Sequence, residues 1–208
     1  GEISGVNRWI MAGLGLVCGM KRTTLIRLIG VWAFGSMYAV GETGGDAERV
    51  LYDFSVEAGP GGWAIEDDGV MGGLSRGTFS VSEEGHGVFA GEVSLDNNGG
   101  FSSVQWFFEP VEVSAFRSIA VRLKGDGKPY RLLVEAEPGA RHYYEAEFPT
   151  SGEWETVIVP FSAMLPTRRG DRLDLPPFPG QQLAQVRFMI ANGRAESFRL
   201  EIDRLWLE

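Results

Sequence analysis

Apolar and polar residues alternate along most of the chain after residue 48. In one run, Ile119, Val121 and Leu123 alternate with Arg122 and Lys124. Successive side chains of a strand point to opposite faces, so each such run predicts a β-strand with one buried face. Ten runs of this kind occur, at residues 50–54, 77–81, 88–95, 101–108, 119–124, 130–136, 144–148, 153–159, 185–190 and 198–203.

Short turn sequences separate these runs, and no sustained helical period occurs after residue 41. Pairs such as Glu84-Gly85 and Ser151-Gly152 are typical of tight turns. Many short strands without intervening helices predict one all-β domain over residues 48–208, an antiparallel β-sandwich of the jelly-roll type. Residues 166–182, with four prolines and three arginines, interrupt the pattern, and we expect a long surface loop there.

Residues 1–41 form a separate N-terminal segment. Lys21 and Arg22 follow Met20, and a 13-residue apolar run then leads to small residues around Ala39. This is the pattern of a secretory signal peptide, whereas a membrane span needs about 20 apolar residues. We therefore expect an exported, periplasmic protein without stable membrane insertion. An uncleaved membrane anchor or a mitochondrial presequence is the alternative.

The charge and the cysteine content exclude several classes of function. The formal net charge is −9, with 28 acidic against 19 basic residues. Such a surface repels nucleic-acid phosphates, so we expect no nucleic-acid binding. The single cysteine, Cys18, lies in the N-terminal segment, so the predicted domain has no disulfide, cysteine nucleophile or cysteine zinc site. We expect no cofactor and no metal.

A Gly-x-Ser-x-Gly sequence at residues 73–77 raises the question of hydrolase chemistry. In a nucleophile elbow the serine, here Ser75, lies between an apolar strand and a helix. The preceding residues 67–72 do not form a buried strand, and only His86 and His142 are available as a base. We therefore expect no serine-hydrolase chemistry at Ser75. We expect instead that one of the aspartates at positions 67 and 68 caps the glycine-rich turn.

Aromatic residues offer a second kind of candidate site. Six of them are candidates for stacking on sugar rings: Trp63, Trp106, Trp154, Tyr130, Tyr143 and Tyr144. In a sandwich, aromatic residues on the inner face usually belong to the core, and we expect this of Trp106 and Trp154.

Several short motifs follow one another along the predicted domain. They are residues 67–77 (DDGVMGGLSRG), 89–95 (FAGEVSL), 98–104 (NGGFSSV), 123–127 (LKGDG), 148–150 (FPT), Trp154 and Pro160-Phe161. In this order, over residues 50–205, they resemble the complex I intermediate-associated protein 30 family. The resemblance implies a galactose-binding-domain-like β-sandwich with a non-enzymatic, chaperone-like role, since mitochondrial members of that family assist the assembly of respiratory complex I.

Two functions are compatible with these expectations. The first is an assembly domain whose partner is a protein, such as a subunit of a respiratory complex. The alternative is an exported carbohydrate-binding module that binds a glycan.

We expect the binding residues in the two glycine-rich segments, where glycines expose backbone donors and short polar side chains offer fixed hydrogen bonds. They are Asp68, Met71, Ser75, Arg76, Asn98, Phe101 and Ser103. The competing interpretation is that the two segments only pack against each other and fix the entry into the strands.

Overall fold

The computed structural model describes residues 48–56, 59 and 61–208. The chain divides into two units, residues 1–42 and 43–208, and all described residues belong to the second. The predicted signal segment therefore lies outside the described residues. Within the described ranges, no helix is long and apolar enough to cross a bilayer.

The described domain consists of strands and three short 3-10 helices. The strands are β1 (Arg49–Asp53), β2 (Trp63–Asp67), β3 (Arg76–Val81), β4 (Gly87–Val93), β5 (Ser102–Glu112), β6 (Ser118–Lys124), β7 (Tyr130–Glu135), β8 (Tyr143–Phe148), β9 (Trp154–Pro160), β10 (Leu165–Arg168), β11 (Asp171–Arg172), β12 (Gln182–Ile190) and β13 (Glu196–Leu207). The 3-10 helices are Asp68–Met71, Asp96–Asn98 and Phe161–Ala163. All ten strands predicted from alternation are present, although β5 and β13 are longer than expected.

Two antiparallel sheets pack face to face, which confirms the predicted all-β sandwich. Sheet A has six strands in the order β3-β4-β13-β6-β9, and β1 pairs with the part of β13 that extends beyond β4. Sheet B has seven strands in the order β11-β10-β8-β7-β12-β5-β2. Each sheet thus joins strands that are far apart along the chain, such as β5 and β12.

The hydrophobic core lies between the two sheets and is built from alternate residues of the strands. In β6, Ile119, Val121 and Leu123 are buried in this core. Trp63 of β2 stacks on Phe188 of β12, with ring centroids 6.1 Å apart. The sides of the two sheets that point away from this core are called the outer faces below.

Three strands were not predicted, namely β2, β10 and β11. Of these, β10 and β11 lie where a long surface loop was expected. The segment 166–182, expected to be a loop, begins with a hairpin in which β10 pairs with both β8 and β11. Arg169 and Gly170, with φ values of 54° and 85°, form its turn. The prediction of a loop was therefore wrong for residues 166–172, which extend sheet B at its edge.

Candidate functional site

Asp68 joins two segments that are far apart in the sequence. It begins the 3-10 helix after β2 and is buried. Its Oδ1 accepts a hydrogen bond from the Ser75 backbone at 3.1 Å, and its Oδ2 accepts one from Ser75 Oγ at 2.5 Å. Oδ2 also accepts from the backbone N–H groups of Gly100 and Phe101, at 2.7 and 3.3 Å. One carboxylate therefore closes the turn between β2 and β3 and fastens it to the segment before β5.

Asp67 completes this junction. Its Oδ2 accepts from the backbone N–H of Gly77 at 2.9 Å, and its Oδ1 accepts from Ser102 Oγ at 2.6 Å. A Cβ atom on Gly77 would overlap Ser102 Oγ, so this position has no room for a side chain. We call Asp67, Asp68, Ser75 and Ser102 the carboxylate junction. Its hydrogen bonds show that both aspartates hold the glycine-rich turn in place.

Ser75 is a structural member of the carboxylate junction. Its hydroxyl donates to Asp68 and accepts from the backbone N–H of Ser94 at 3.0 Å. A 3-10 helix precedes it and β3 follows it, which is the reverse of a strand-to-helix elbow. Neither His86 nor His142 is among the hydrogen-bond partners of its side chain. The geometry around Ser75 is therefore that of a turn, with its hydroxyl proton directed to a buried carboxylate.

The pKa of Asp68 lies below its ordinary value. Burial of the carboxyl raises the pKa, but the hydrogen bonds from Ser75, Gly100 and Phe101 together lower it by more. The carboxyl is thus ionised in the folded protein over a wider range of pH than in the unfolded chain.

We expect the free energy of unfolding to fall in acid. Because the folded-state pKa of Asp68 is below the unfolded value of 3.8, its contribution is complete above 3.8 and is lost as pH falls through the folded pKa. Urea unfolding followed by tryptophan fluorescence, from about pH 7 to about pH 2, measures this dependence. The Asp68→Asn variant cannot titrate at this position and should show a shallower slope. An equal slope in both proteins would contradict the assignment to Asp68.

The structure brings together only some of the predicted binding residues. Asp68, Ser75 and the backbone of Phe101 meet in the carboxylate junction, where their polar groups are used internally. Arg76 and Asn98 are exposed next to this junction in sequence. The two glycine-rich segments therefore pack against each other, as the competing interpretation proposed.

The other two predicted residues are separate from the junction. The side chain of Met71 lies outside what the structure describes, although its backbone ends the first 3-10 helix. Ser103 belongs to the outer face of sheet B, where its hydroxyl donates to the backbone carbonyl of Glu66 at 2.7 Å. Ser103 is the one predicted residue that borders a second polar cluster on that face.

This second cluster occupies adjacent strands on the outer face of sheet B. The strand register places Gln105 beside Arg187, and Phe107 beside Gln185, which in turn pairs with Glu135. We call the following residues the polar face: Glu66, Gln105, Phe107, Glu135, Tyr143, Gln185 and Arg187. They come from five neighbouring strands, β2, β5, β12, β7 and β8.

Arg187 is the central residue of the polar face and is only 5% exposed. Its Nη2 donates to Glu66 Oε2 at 2.9 Å and to the Tyr143 hydroxyl at 3.0 Å, and also lies against Gln105 Oε1. The guanidinium carbon is 4.8 Å from the centroid of the Tyr143 ring. The hydroxyl of Tyr143 donates in turn to Glu135. An ion pair and a chain of hydrogen bonds thus cross the whole polar face.

Glu135 is the second buried charge-bearing residue of the polar face, at 4% exposure. Burial raises its pKa by more than the hydrogen bonds from Tyr143 and the Gly139 backbone and the charge of Arg187 lower it. Burial also raises the pKa of the Tyr143 hydroxyl. The polar face therefore combines a fixed positive charge with a carboxyl that is costly to ionise.

Three buried atoms of the polar face have no hydrogen-bond partner: Glu135 Oε2, Gln185 Oε1 and Arg187 Nε. Buried polar groups in proteins are nearly always hydrogen-bonded. The polar face therefore contains three buried polar atoms whose hydrogen bonds are not made. In the carboxylate junction, by contrast, the Asp68 carboxylate accepts four hydrogen bonds.

A cavity of about 470 Å³ lies on the same outer face, beside the β10–β11 hairpin. Its lining includes Arg131, Glu145, Glu147, Thr167 and Arg172. Arg131 is placed between two carboxylates, 3.2 Å from Glu145 and 3.7 Å from Glu147. The volume is in the range of small-ligand pockets. No three His, Cys, Asp or Glu side chains in the described ranges are grouped to hold a metal ion.

The sequence contained part of the signal for the polar face. Alternation in β12 indicated that Gln185 and Arg187 point away from the core, but polar residues on the outer face of a strand are ordinary. Tyr143 was one of the six aromatic candidates. Their burial and their contacts depend on strands that are distant in sequence, so alternation could not single them out.

The other aromatic candidates belong mainly to the core. Trp63 and Tyr130 are buried there, and Trp106 and Tyr144 pack against it. The prediction that Trp154 is a core residue was wrong. It pairs with Lys124 on the outer face of sheet A, and its ring centroid is 4.5 Å from that of His86.

The outer face of sheet A carries an uninterrupted apolar row. The register places Val50 beside Trp206, Trp206 beside Ala120, and Ala120 beside Ile158. Val50 and Ile158, at the two ends, are 48% and 54% exposed. We call these four residues the apolar row. Ala120 is buried, so the exposed part of the apolar row consists of Val50, Ile158 and part of Trp206. Exposed apolar side chains beside charged residues are typical of a surface that binds another protein.

A comparison with known protein families gives a match over most of the described domain. The family model described as complex I intermediate-associated protein 30 matches residues 52–202. Among curated proteins, none matches this sequence.

Several solved structures share the fold. A family 11 carbohydrate-binding module from Clostridium thermocellum, in complex with a β-1,3-1,4-mixed-linked tetrasaccharide, has a TM-score of 0.54 and 19% identity, with 77% of this chain and 94% of that chain covered. The family 11 module of the cellulosomal cellulase Lic26A-Cel5E from the same organism has a TM-score of 0.55, also at 19% identity and with the same shares covered. The agarase AgWH50C has a TM-score of 0.50 at 12% identity, with 76% of this chain and 24% of the agarase covered. At these identities the likeness establishes the sandwich fold.

Proposed function

Because the chain belongs to the complex I intermediate-associated protein 30 family, we propose that it is a non-catalytic binding domain that assists the assembly of a multi-protein complex. The extent of the family match carries this proposal. The match begins in β1 and ends in β13, so it includes both sheets and the carboxylate junction. The proposed partner is a protein subunit, and the family favours a respiratory complex. The proposed setting is periplasmic, in view of the pattern of residues 1–41.

The apolar row supports a protein partner. Val50 lies on β1, which pairs with β13, and Ile158 lies on β9, which pairs with β6. Since β13 and β6 also pair with each other, the sheet fixes the positions of both side chains. A rigid apolar surface binds a partner without loss of its own conformational freedom. Charged side chains border it, since Arg204 stacks on the Trp206 ring at 5.0 Å. This combination of an apolar centre and a polar rim is common at protein interfaces.

The non-catalytic assignment is supported by the role of Ser75. The only motif that suggested covalent catalysis uses its hydroxyl to bind a buried carboxylate. Asp67 and Asp68 likewise hold backbone and hydroxyl donors of their own fold.

We expect Ile158→Asp to impair assembly. Burying an isoleucine side chain contributes about 1.5–3 kcal/mol, so replacing it by a charge should weaken partner binding at least about tenfold. The gene is deleted in the source organism, and membrane complexes are compared on native gels after complementation with the wild type or the variant. Ser80→Asp is the control, because Ser80 is exposed on β3 of the same sheet, outside the apolar row. Unchanged complexes after deletion would contradict the assembly role, and full rescue by Ile158→Asp would contradict the apolar row.

A carbohydrate-binding function is the second candidate. It is favoured by the polar face, where charged and amide side chains lie together on the outer side of a sandwich sheet. The fold likeness to family 11 carbohydrate-binding modules makes this function worth testing. In this case the ligand would be a glycan, and the role would again be one of binding without chemical conversion.

A further inference from the structure

We propose that the polar face binds a neutral, polyhydroxylated ligand of the oligosaccharide class, an inference that rests on the second candidate function. It assigns a surface, a ligand chemistry and the contacting residues. The site extends from Phe107 to Tyr143 over the buried side chains of Gln185 and Glu135.

The polar groups at the surface of this face define the chemistry of the ligand. Arg187, Gln185 and Glu135 are at most 5% exposed and form the floor of the site. The half-buried side chains above this floor are the Gln105 amide, the Tyr143 hydroxyl and the Glu66 carboxylate, which together offer donors and acceptors. A hydroxyl group both donates and accepts, and a ligand with several hydroxyls can meet donors and acceptors that lie close together. An ammonium group has only donors and a phosphate mainly acceptors, so each would match only part of the set.

The charge of this surface also favours a neutral ligand. Glu66, Glu135, Glu145 and Glu147 carry carboxyl groups on the outer face of sheet B, where Arg131 and Arg187 carry the opposing charges. Both arginines already contact carboxylates. An anionic ligand would meet repulsion from the carboxylates of Glu66, Glu145 and Glu147, and a cationic one would meet the buried guanidinium of Arg187 at the centre.

Phe107 provides a surface for the apolar side of a sugar ring. It is 55% exposed on the edge of the polar face, and its neighbour in the register is Gln185. Ligand sites combine an apolar or aromatic surface with a few fixed polar groups, which orient the ligand. Phe107 supplies the first, and Gln105 and Tyr143 supply the second.

The dimensions of the polar face suit an elongated ligand. Phe107, Gln185, Glu135 and Tyr143 lie on four successive strands, β5, β12, β7 and β8. Neighbouring strands are about 4.8 Å apart, so this row is about 14 Å long. That length exceeds a single sugar ring and indicates an oligosaccharide that crosses the strands.

The test is a titration of the full chain with three kinds of probe: neutral hexasaccharides built from glucose, mannose or galactose, a hexagalacturonate, and a hexalysine peptide. We expect one of the neutral probes to bind and the two charged probes not to bind. Phe107→Ala should weaken binding at least about tenfold, because it removes the stacking surface. Tyr143→Phe should weaken it about threefold to tenfold by the loss of one hydroxyl while the ring under Arg187 remains. Leu175→Ala is the control, since Leu175 is an exposed apolar residue outside both sheets.

The possible outcomes separate the site from the function. Binding of a neutral probe that neither Phe107→Ala nor Tyr143→Phe weakens would overturn the assigned site and leave the carbohydrate-binding function standing. Binding of a charged probe alone would overturn the ligand chemistry. Absence of binding to any probe would overturn both. Thermal unfolding of each variant confirms that a loss of binding is not a loss of folding, and Tyr143→Phe retains the ring if Phe107→Ala fails to fold.

Discussion

Asp68→Ala is expected to lower the free energy of unfolding by about 4 kcal/mol. The substitution removes the acceptor for three backbone N–H groups and for the Ser75 hydroxyl. Each buried donor left without an acceptor costs about 1–3 kcal/mol, and water entering the space recovers part of that cost. Since a domain is commonly stable by only about 5–15 kcal/mol, this single change should bring the sandwich close to unfolding.

Urea unfolding of the wild type and the variants measures this effect. Ser75→Ala should cost less, about 2 kcal/mol, because it removes one donor to Asp68 and one acceptor for the Ser94 backbone. Asp96→Ala is the matched control, because Asp96 is an exposed carboxylate in the next 3-10 helix and should change stability by less than about 0.5 kcal/mol. If Asp68→Ala were as stable as the control, the carboxylate junction would not hold the two glycine-rich segments together.

Arg187→Met is expected to destabilise the domain by about 3 kcal/mol. Methionine keeps much of the volume of the arginine stem but leaves Glu66 and the Tyr143 hydroxyl without their cation. The loss of stability should be larger at about pH 7 than at about pH 4, which is close to the ordinary pKa of a carboxyl group. The charge of Arg187 lowers the pKa of Glu135, so removing that charge makes the ionised form of Glu135 still less favourable. At low pH Glu135 is protonated, and the loss of the charge of Arg187 then changes its energy little.

Arg122→Met provides the comparison for this prediction. Arg122 also pairs with a carboxylate, Asp203 at 3.4 Å, but its side chain is 47% exposed. Exposed ion pairs contribute about 0–1 kcal/mol, so this variant should be nearly as stable as the wild type. Equal losses in Arg187→Met and Arg122→Met, or a loss that does not depend on pH, would show that the buried network around Arg187 is not maintained by its charge.

The two polar clusters of the domain differ in how fully their groups are satisfied. Asp68 has four donors around its carboxylate, and a Cβ on Gly73 or Gly99 would collide with that carboxylate. Such close fitting leaves no space for a ligand. The polar face, by contrast, retains unpartnered donors and acceptors. For this reason we assign a structural role to the carboxylate junction, whereas the proposed ligand site lies on the polar face.

The sequence predicted the fold more completely than the site, because alternation is a local property. The ten predicted strands all exist, since each buries every second residue in one core. β2 was not predicted although Trp63 and Ile65 pack toward the core, because five residues give little periodic signal. β10 was missed because Pro166 is unusual in a strand, and it is accommodated here near the edge of sheet B.

The sequence by itself determined the all-β class, the family and the importance of the two glycine-rich segments. These properties depend on period-two alternation and on ordered motifs, which can be seen without knowing which strands are neighbours. The tertiary structure alone decided what those residues do. Asp68 reaches Gly100 and Phe101 across more than thirty positions of sequence, and Arg187 meets Glu66 across 121. The pairing of β5 with β12 and of β7 with β8 buries Arg187 and Glu135 on an outer face that alternation would leave to solvent. Burial and hydrogen bonding depend on neighbours in space, so only the assembled sheets distinguish a solvated strand face from a candidate binding site.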